Sequence, residues 1–183
     1  MFNLTHSVMC ALALASAPIP GPDSSDFAFS VRGGVTLAAT GTARFGMVHG
    51  DTRSPAFFSL SLGGPDGNGA LILSRALAEV PMAGHYAVTN WDRRDSRGAN
   101  FQALFVAGTP SHPEGVFWGE SGTVTIRHTS PGRIEGVFTI KARGFRAVDP
   151  DREDVTVTIH GTFSANGDQV MAQVTSVQVP GSM

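Results

Sequence analysis

Hydrophobic and polar residues alternate along much of this chain, and the clearest run extends from residue 121 to residue 165. Val124 and Ile126 alternate with threonines, and further on Val155, Val157 and Ile159 do the same. A period of two is typical of a β-strand with one buried and one solvated face. We therefore expect a threonine-rich β-meander in the C-terminal third of the chain.

The turn between the first two strands of this run is marked by Pro131 and Gly132 within residues 129–133. Proline presets φ and glycine allows positive φ, so these residues predict a hairpin. Glycine also precedes phenylalanine by two positions at 136/138 and at 161/163. A ring on the same face of the sheet covers the backbone that glycine leaves bare, so we expect the sheet to bend there.

Alternation also marks the N-terminal half of the chain. We expect strands at residues 27–31 and 35–50, a hairpin at 57–74, a short strand near 86–88 and a nearly all-apolar, central strand at 101–107. Residues 108–115 are expected to form a loop, and residues 169–179 a closing strand. Only residues 75–83 have helical propensity, and Pro81 limits such a helix to about two turns.

These segments predict an all-β protein with one domain. The regular spacing of the strand segments is typical of an antiparallel β-sandwich or a partly closed β-barrel, and the sequence leaves both open. The segments GTVTI (122–126), GVFTIKA (136–142) and VTVTIHGTFSA (155–165) resemble the closing strands of small exported bacterial proteins and lipoproteins of unknown function. That resemblance implies an exported β-protein and brings no catalytic residues with it.

The N-terminus has the pattern of a secretory signal. Residues 7–17 form an apolar run that ends in small residues, so we expect residues 1–17 to be a signal peptide. Residues 18–26 form a proline-rich leader, and residues 18–183 then make up the single β-domain. The run is too short for a transmembrane segment, and Met9 before Cys10 does not favour lipid attachment. We expect export to the periplasm, the cell surface or the extracellular space.

Composition narrows the partners. The chain has 183 residues and a formal net charge of −2, so it lacks the cationic field that nucleic acid requires. Cys10 is the single cysteine and lies inside the signal, so the mature protein is expected to have no disulfide and no cysteine-based zinc site. The alternating segment Phe27–Val31 offers two hypotheses: pairing within its own domain, which we favour, or self-assembly with a neighbouring copy.

Two loops carry oxygen-bearing side chains that suit calcium. We expect no cofactor, because neither loop has a known calcium spacing and both also fit ordinary turn chemistry, but calcium remains the alternative. The weak candidate ligands are Asp66, Asn68, Asp149, Asp151 and Asp154.

One aromatic and basic cluster is the best candidate surface for a glycan or a protein partner. Tryptophan, tyrosine and arginine are enriched at binding interfaces. The candidate residues are Tyr86, Trp91, Arg93, Arg94 and Trp118.

The chain lacks a G-x-S-x-G nucleophile elbow, so the sequence favours a non-catalytic function without deciding the matter. We expect an exported binding or structural module. One alternative is a carrier of small apolar ligands, with a cavity lined by Phe58, Leu60, Phe101, Phe105 and Phe138. A second alternative is a carboxylate-dependent hydrolase that uses residues such as Glu114, Glu120 and Glu135.

Overall fold

The computed structural model describes residues 25–48, 56–64, 68–90, 98–109, 111–152 and 154–167. Nine β-strands and no helix are found in these ranges, so the all-β prediction is confirmed. The strands are β1 (Asp26–Gly33), β2 (Leu37–Val48), β3 (Phe57–Gly63), β4 (Gly69–Arg75), β5 (Gly84–Thr89), β6 (Gln102–Thr109), β7 (His112–Ser130), β8 (Arg133–Arg146) and β9 (Val155–Gly167). The described part of the chain contains no helix with the length and hydrophobicity of a membrane span.

Eight of these strands close into an antiparallel β-barrel, and β5 is an extra strand. The order around the barrel is β1, β2, β3, β4, β6, β7, β8, β9, and β9 pairs with β1 to complete the circle. Apart from β5, each strand lies beside its chain neighbour in a simple up-and-down path. Of the two architectures that the sequence left open, the structure has the barrel.

The extra strand β5 continues the line of β6 along the long strand β7. Residues 115–118 of β7 pair with β6, whereas residues 121–126 pair with β5. The chain leaves the sheet after Thr89 and returns at Phe101, and two backbone hydrogen bonds hold these ends together: Thr89 N–H to Phe101 O, and Phe101 N–H to Ala87 O, both 2.9 Å. The two segments thus act as one interrupted strand.

Phenylalanine rings fill the interior of the barrel. Phe29 stacks on Phe27 with ring centroids 5.3 Å apart and meets Phe105 edge-on at 6.0 Å. Phe105 in turn stacks on Phe117 at 5.8 Å, and neither of these two rings is exposed to solvent. Burial of each such ring stabilises the fold by roughly 1.5–3 kcal/mol. The two sides of the barrel are therefore joined through a continuous aromatic core.

Two glycines receive rings from the adjacent strand. Gly136 is paired with Phe163 and Gly161 with Phe138, so each ring covers the glycine of the other strand. The two rings stack at 6.4 Å. The glycine and phenylalanine pairs expected from the sequence are therefore crossed between β8 and β9 rather than confined to one strand.

The helical propensity of residues 75–83 does not produce a helix in the structure. Arg75 ends β4, and residues 76–83, which we call the strap, form bends that lead to β5. The Phe58 N–H donates to Leu77 O at 3.2 Å, and the Thr129 hydroxyl donates to Pro81 O at 3.0 Å. Strap carbonyls thus bond to other strands, and Pro81 cannot donate to a helical ladder.

The favoured hypothesis for Phe27–Val31, pairing within its own domain, is confirmed, because both edges of that segment are occupied within the chain. It lies in β1, which pairs with β2 on one side and with β9 on the other. The predicted loop at 108–115 is shorter than expected, since β6 extends to Thr109 and β7 begins at His112. The predicted signal (1–17), most of the leader (18–24) and the strand at 169–179 lie outside the described residues.

Candidate functional site

Of the aromatic and basic cluster predicted from the sequence, the structure describes Tyr86 and Trp118. Tyr86 points towards the core, where its ring meets Phe101 edge-on at 5.6 Å and its hydroxyl donates to Met82 O at 2.7 Å. Trp118 points outward and is 38% exposed. The two side chains therefore lie on opposite faces of the sheet. Trp91, Arg93 and Arg94 lie outside the described residues.

Trp118 belongs instead to an apolar area on the outside of the barrel. Strand register places two rows of outward side chains across β4, β6, β7 and β8, and all of them are half-buried or exposed. We call this area the apolar wall; its residues are Ala70, Ile72, Leu104, Val106, Val116, Trp118 and Phe145. Ile72 and Trp118 are each 38% exposed although both are large hydrophobic residues.

The neighbouring sector of the exterior is polar. On β5, β7, β8 and β9 most outward positions carry threonine, histidine or a charged residue, as an exposed sheet face usually does. His160 Nδ1 lies 3.0 Å from Thr139 Oγ1, and His85 Nδ1 lies 3.0 Å from Thr125 Oγ1. The apolar wall therefore differs from the adjoining surface of the same barrel. Its β6 portion explains why residues 101–107 are apolar on both faces.

The β7–β8 side of the apolar wall is aromatic, and charged residues lie beside it. The rings of Trp118 and Phe145 lie 5.9 Å apart at an angle of 45°. Beside them, Arg143 Nε donates to Glu120 Oε1 at 2.8 Å. Aromatic residues on an apolar area with a polar border are typical of a protein-binding surface.

A groove of about 720 Å³ opens at the end of the barrel next to this wall. It lies between the β1–β2, β6–β7 and β8–β9 connections, and Ala147 N–H donates to Glu114 O at 2.9 Å to join two of them. The groove is lined by Gly34, Val35, Thr36, His112, Pro113, Glu114, Arg146, Ala147 and Val148. Because Phe145 precedes Arg146 on β8, the charged groove continues the apolar wall.

The calcium candidates do not form a described site. Arg152 Nε donates to Asp154 Oδ1 at 2.8 Å, and this hydrogen bond, together with the charge of Arg152, holds the pKa of Asp154 below its ordinary value. Asp149 and Asp151 lie in the same β8–β9 connection, whereas Asn68 lies beside β4. Within the described ranges, no group of three or more His, Cys, Asp or Glu side chains is placed to hold a metal ion. Asp66 lies outside those ranges.

The residues named for the hydrolase alternative are spread over the surface. Glu120 is paired with Arg143, and Glu135 accepts a hydrogen bond from Arg133 Nε at 2.8 Å. Glu114 lies in the groove. Two of these three carboxylates are thus engaged by arginines on or beside their own strands.

The residues named for a carrier cavity lie in the packed core. Their exposed fractions are 0% for Phe58, Leu60, Phe101 and Phe105 and 3% for Phe138. A water-sized sphere therefore reaches almost none of their surface. The carrier function stays a prediction.

One polar residue escaped the sequence analysis. Arg75 is only 5% exposed, and its side chain points inward at the end of β4, after Leu71 and Leu73. Its guanidinium carbon lies 4.8 Å from the Tyr86 ring centroid and 5.6 Å from that of Phe101. The alternation of buried residues Leu71 and Leu73 predicts a buried side chain at position 75 as well. The helical propensity of residues 75–83 obscures this signal in the sequence.

Comparisons with known proteins add no homologue. No family model matches the chain, and neither the curated proteins nor the solved structures provide a match. The function must therefore be argued from geometry and sequence pattern. The resemblance to small exported bacterial proteins remains a prediction.

Proposed function

We propose that this protein is an exported, non-catalytic binding module that contacts a protein partner through the apolar wall. The observation that carries the proposal is the pair of apolar rows on the outside of β4, β6, β7 and β8, which include the exposed Trp118. Its placement in the periplasm, at the cell surface or in the extracellular space rests on the signal pattern of residues 1–17.

The chemistry of the wall favours a protein over a small molecule or a glycan. The wall is a continuous sheet surface, and a sheet face spreads its apolar groups over an area rather than into a pocket. Contiguous exposed apolar surface on a soluble domain usually marks an interaction site, because each Å² removed from water contributes about 25 cal/mol. The Arg143–Glu120 pair at the border supplies directional polar contacts that fix the orientation of a partner.

Neither alternative from the sequence gains an observation in its favour. A carrier needs interior space, and the side chains named for its cavity are packed against one another. A hydrolase needs two carboxylates that face one substrate, whereas Glu120 and Glu135 are bound to arginines. We therefore place recognition on the exterior of the barrel.

Site-specific photo-crosslinking tests the proposal. The crosslinking residue p-benzoylphenylalanine is placed at position 118 in the apolar wall and, as a matched control, at position 139 on the exposed threonine face. Both proteins are expressed with their own N-terminus in cells that export them. We expect a discrete crosslinked protein from position 118 and none from position 139.

Competition makes the test specific. Excess purified wild-type protein should abolish the crosslink. An Ile72→Lys/Leu104→Lys variant should compete at least about tenfold less well. Two charges in an apolar interface weaken binding by more than about 1.4 kcal/mol, the free energy that corresponds to a tenfold change in affinity. Equal crosslinking at both positions would contradict the proposal, as would undiminished competition by the variant. A crosslink between two copies of this chain would show that the apolar wall binds a second copy of the protein instead of a different protein.

A further inference from the structure

We propose that Arg75 is the anchor of a binding site for a small carboxylate, inside the barrel end that the strap covers. This site is separate from the apolar wall. It lies on the inner face of β4 and uses a different side chain, so either proposal can fail without the other.

The first step is the burial of a positive charge. Arg75 is 5% exposed, and within the described residues no carboxylate pairs with it. Removing an ion from water is costly unless a partner of opposite charge or a full set of hydrogen bonds compensates. Buried arginine without such a partner is therefore unusual, and an anion is the group that would neutralise it.

The second step is the direction of the open donors. Arg75 Nε donates to Ala99 O at 3.2 Å, which occupies one edge of the guanidinium. Nη1 is buried and has no hydrogen-bond partner in the described structure. Buried polar groups are nearly always hydrogen-bonded, so an unpartnered one calls for a missing acceptor. Nη1 is therefore the donor to which an oxygen of a carboxylate would bind.

The third step is the rigidity of the anchor. The guanidinium lies against the ring faces of Tyr86 and Phe101, and the two rings meet edge-on. Rings hold the plane of the guanidinium while leaving its N–H groups at the edges. The donor is thus oriented before a ligand arrives, which lowers the entropy cost of binding.

The fourth step is access. The described hydrogen bonds that hold the strap are Tyr86 Oη to Met82 O, Thr129 Oγ1 to Pro81 O and Phe58 N to Leu77 O, the last of which is long at 3.2 Å. Its outer residues are exposed, with Val80 at 37% and Met82 at 76%. A segment with few buried contacts opens locally more readily than the strands beneath it. Because Phe58 and Phe101 fill the interior below, the ligand must be small and planar, such as acetate or benzoate.

Titration of the full-length protein with sodium benzoate and sodium acetate tests the site, with neutral benzamide and sodium chloride as controls. The readouts are the arginine Nε–Hε resonances in ¹H–¹⁵N spectra and the thermal unfolding midpoint at constant ionic strength. Each carboxylate is added up to about 50 mM, a range that covers millimolar dissociation constants. We expect both carboxylates to move one arginine resonance and to raise the thermal unfolding midpoint. Benzamide and chloride should do neither.

Variants connect the response to Arg75. Arg75→Lys keeps the charge but loses the fork, and we expect benzoate affinity to fall about tenfold, the factor that 1.4 kcal/mol represents. Arg75→Met should abolish the response, and Arg127→Met, which removes an exposed arginine, should leave it unchanged. The proposal is overturned if the wild-type protein does not respond, if chloride acts equally, or if Arg75→Lys binds benzoate like the wild type. The wild-type titration decides the matter even if Arg75→Met does not fold.

Discussion

Glycine residues determine how closely β9 approaches its neighbours. A Cβ atom added at Gly161 would lie 2.5 Å from the Phe138 ring, 2.6 Å from Phe29 Cβ and 2.7 Å from the Ala28 carbonyl oxygen. All three positions belong to the packed β1–β9–β8 region. A single methyl group is therefore excluded there by both backbone and rings.

We expect Gly161→Ala to lower the free energy of unfolding by about 1–3 kcal/mol, the usual cost of overpacking a core. Gly63→Ala is the matched control, because its added Cβ would meet nothing within 4 Å. Urea denaturation followed by tryptophan fluorescence measures both. Equal stability of the two variants would show that the core yields to the extra methyl group.

The Arg152–Asp154 pair makes a prediction about pH. Its hydrogen bond and charge lower the pKa of Asp154, so the pair contributes stability above the ordinary aspartate pKa and loses it as the pH falls through the lowered value. Arg152→Gln should raise the pKa of Asp154 towards its ordinary value. A ¹³C carboxyl titration by NMR measures this, and Arg127→Gln is the control that should leave Asp154 unchanged. An unaltered titration of Asp154 in Arg152→Gln would contradict the assignment.

The β7–β8 hairpin is the best-specified element of the fold. Ser130 pairs with Arg133, so the connection consists of Pro131 and Gly132 alone and is three residues shorter than the predicted turn at residues 129–133. Gly132 has φ of 78°, the sign that a type II turn requires after proline. The element is therefore fixed by local chemistry.

Replacing Gly132 tests the conformation of this turn without altering packing, since an added Cβ would meet no atom within 4 Å. We expect Gly132→Ala to destabilise the protein by about 1 kcal/mol through left-handed backbone strain, and Gly132→Asn by less. Thermal unfolding measures both variants. If alanine and asparagine cost the same, the strain does not depend on the side chain and the argument fails.

The sequence predicted the elements that form through contacts between residues close together in the chain, and it missed those that depend on contacts between distant residues. Strands were predictable because alternation reflects burial on one face, and the turn at Pro131–Gly132 because its chemistry is local. The strap was not, since its hydrogen bonds from Phe58 and Thr129 come from distant strands. The apolar wall also depends on register between strands, and Trp118 could be assigned to it only after Leu104 was placed opposite.

The closure of the barrel is a property of the whole chain, because β1 pairs with β9 across most of its length. Alternation shows which face of a strand is buried but not which strands pair with it. The sequence therefore did not decide between a sandwich and a barrel. Phe29 contributes to the stability of the closed barrel through a contact across the interior. It belongs to β1, yet its ring meets Phe105 of β6 from across the interior.

We expect Phe29→Ala to cost about 3–5 kcal/mol, the range for removing a buried aromatic ring. Phe145→Ala on the half-buried apolar wall should cost clearly less, because its ring is already partly in water. Equilibrium denaturation of both variants measures the difference. Equal costs would indicate that the interior contact does not join the two sides of the barrel.

The interrupted strand formed by β5 and β6 has a further consequence. The chain leaves the sheet after Thr89 and returns to it at Phe101. These two points are neighbours, because Thr89 N–H donates to Phe101 O at 2.9 Å. A folded guest domain whose own termini are adjacent fits such an opening without moving any barrel strand. The barrel therefore offers a natural insertion point, through which a second module can be gained or exchanged while the host keeps its hydrogen-bond register.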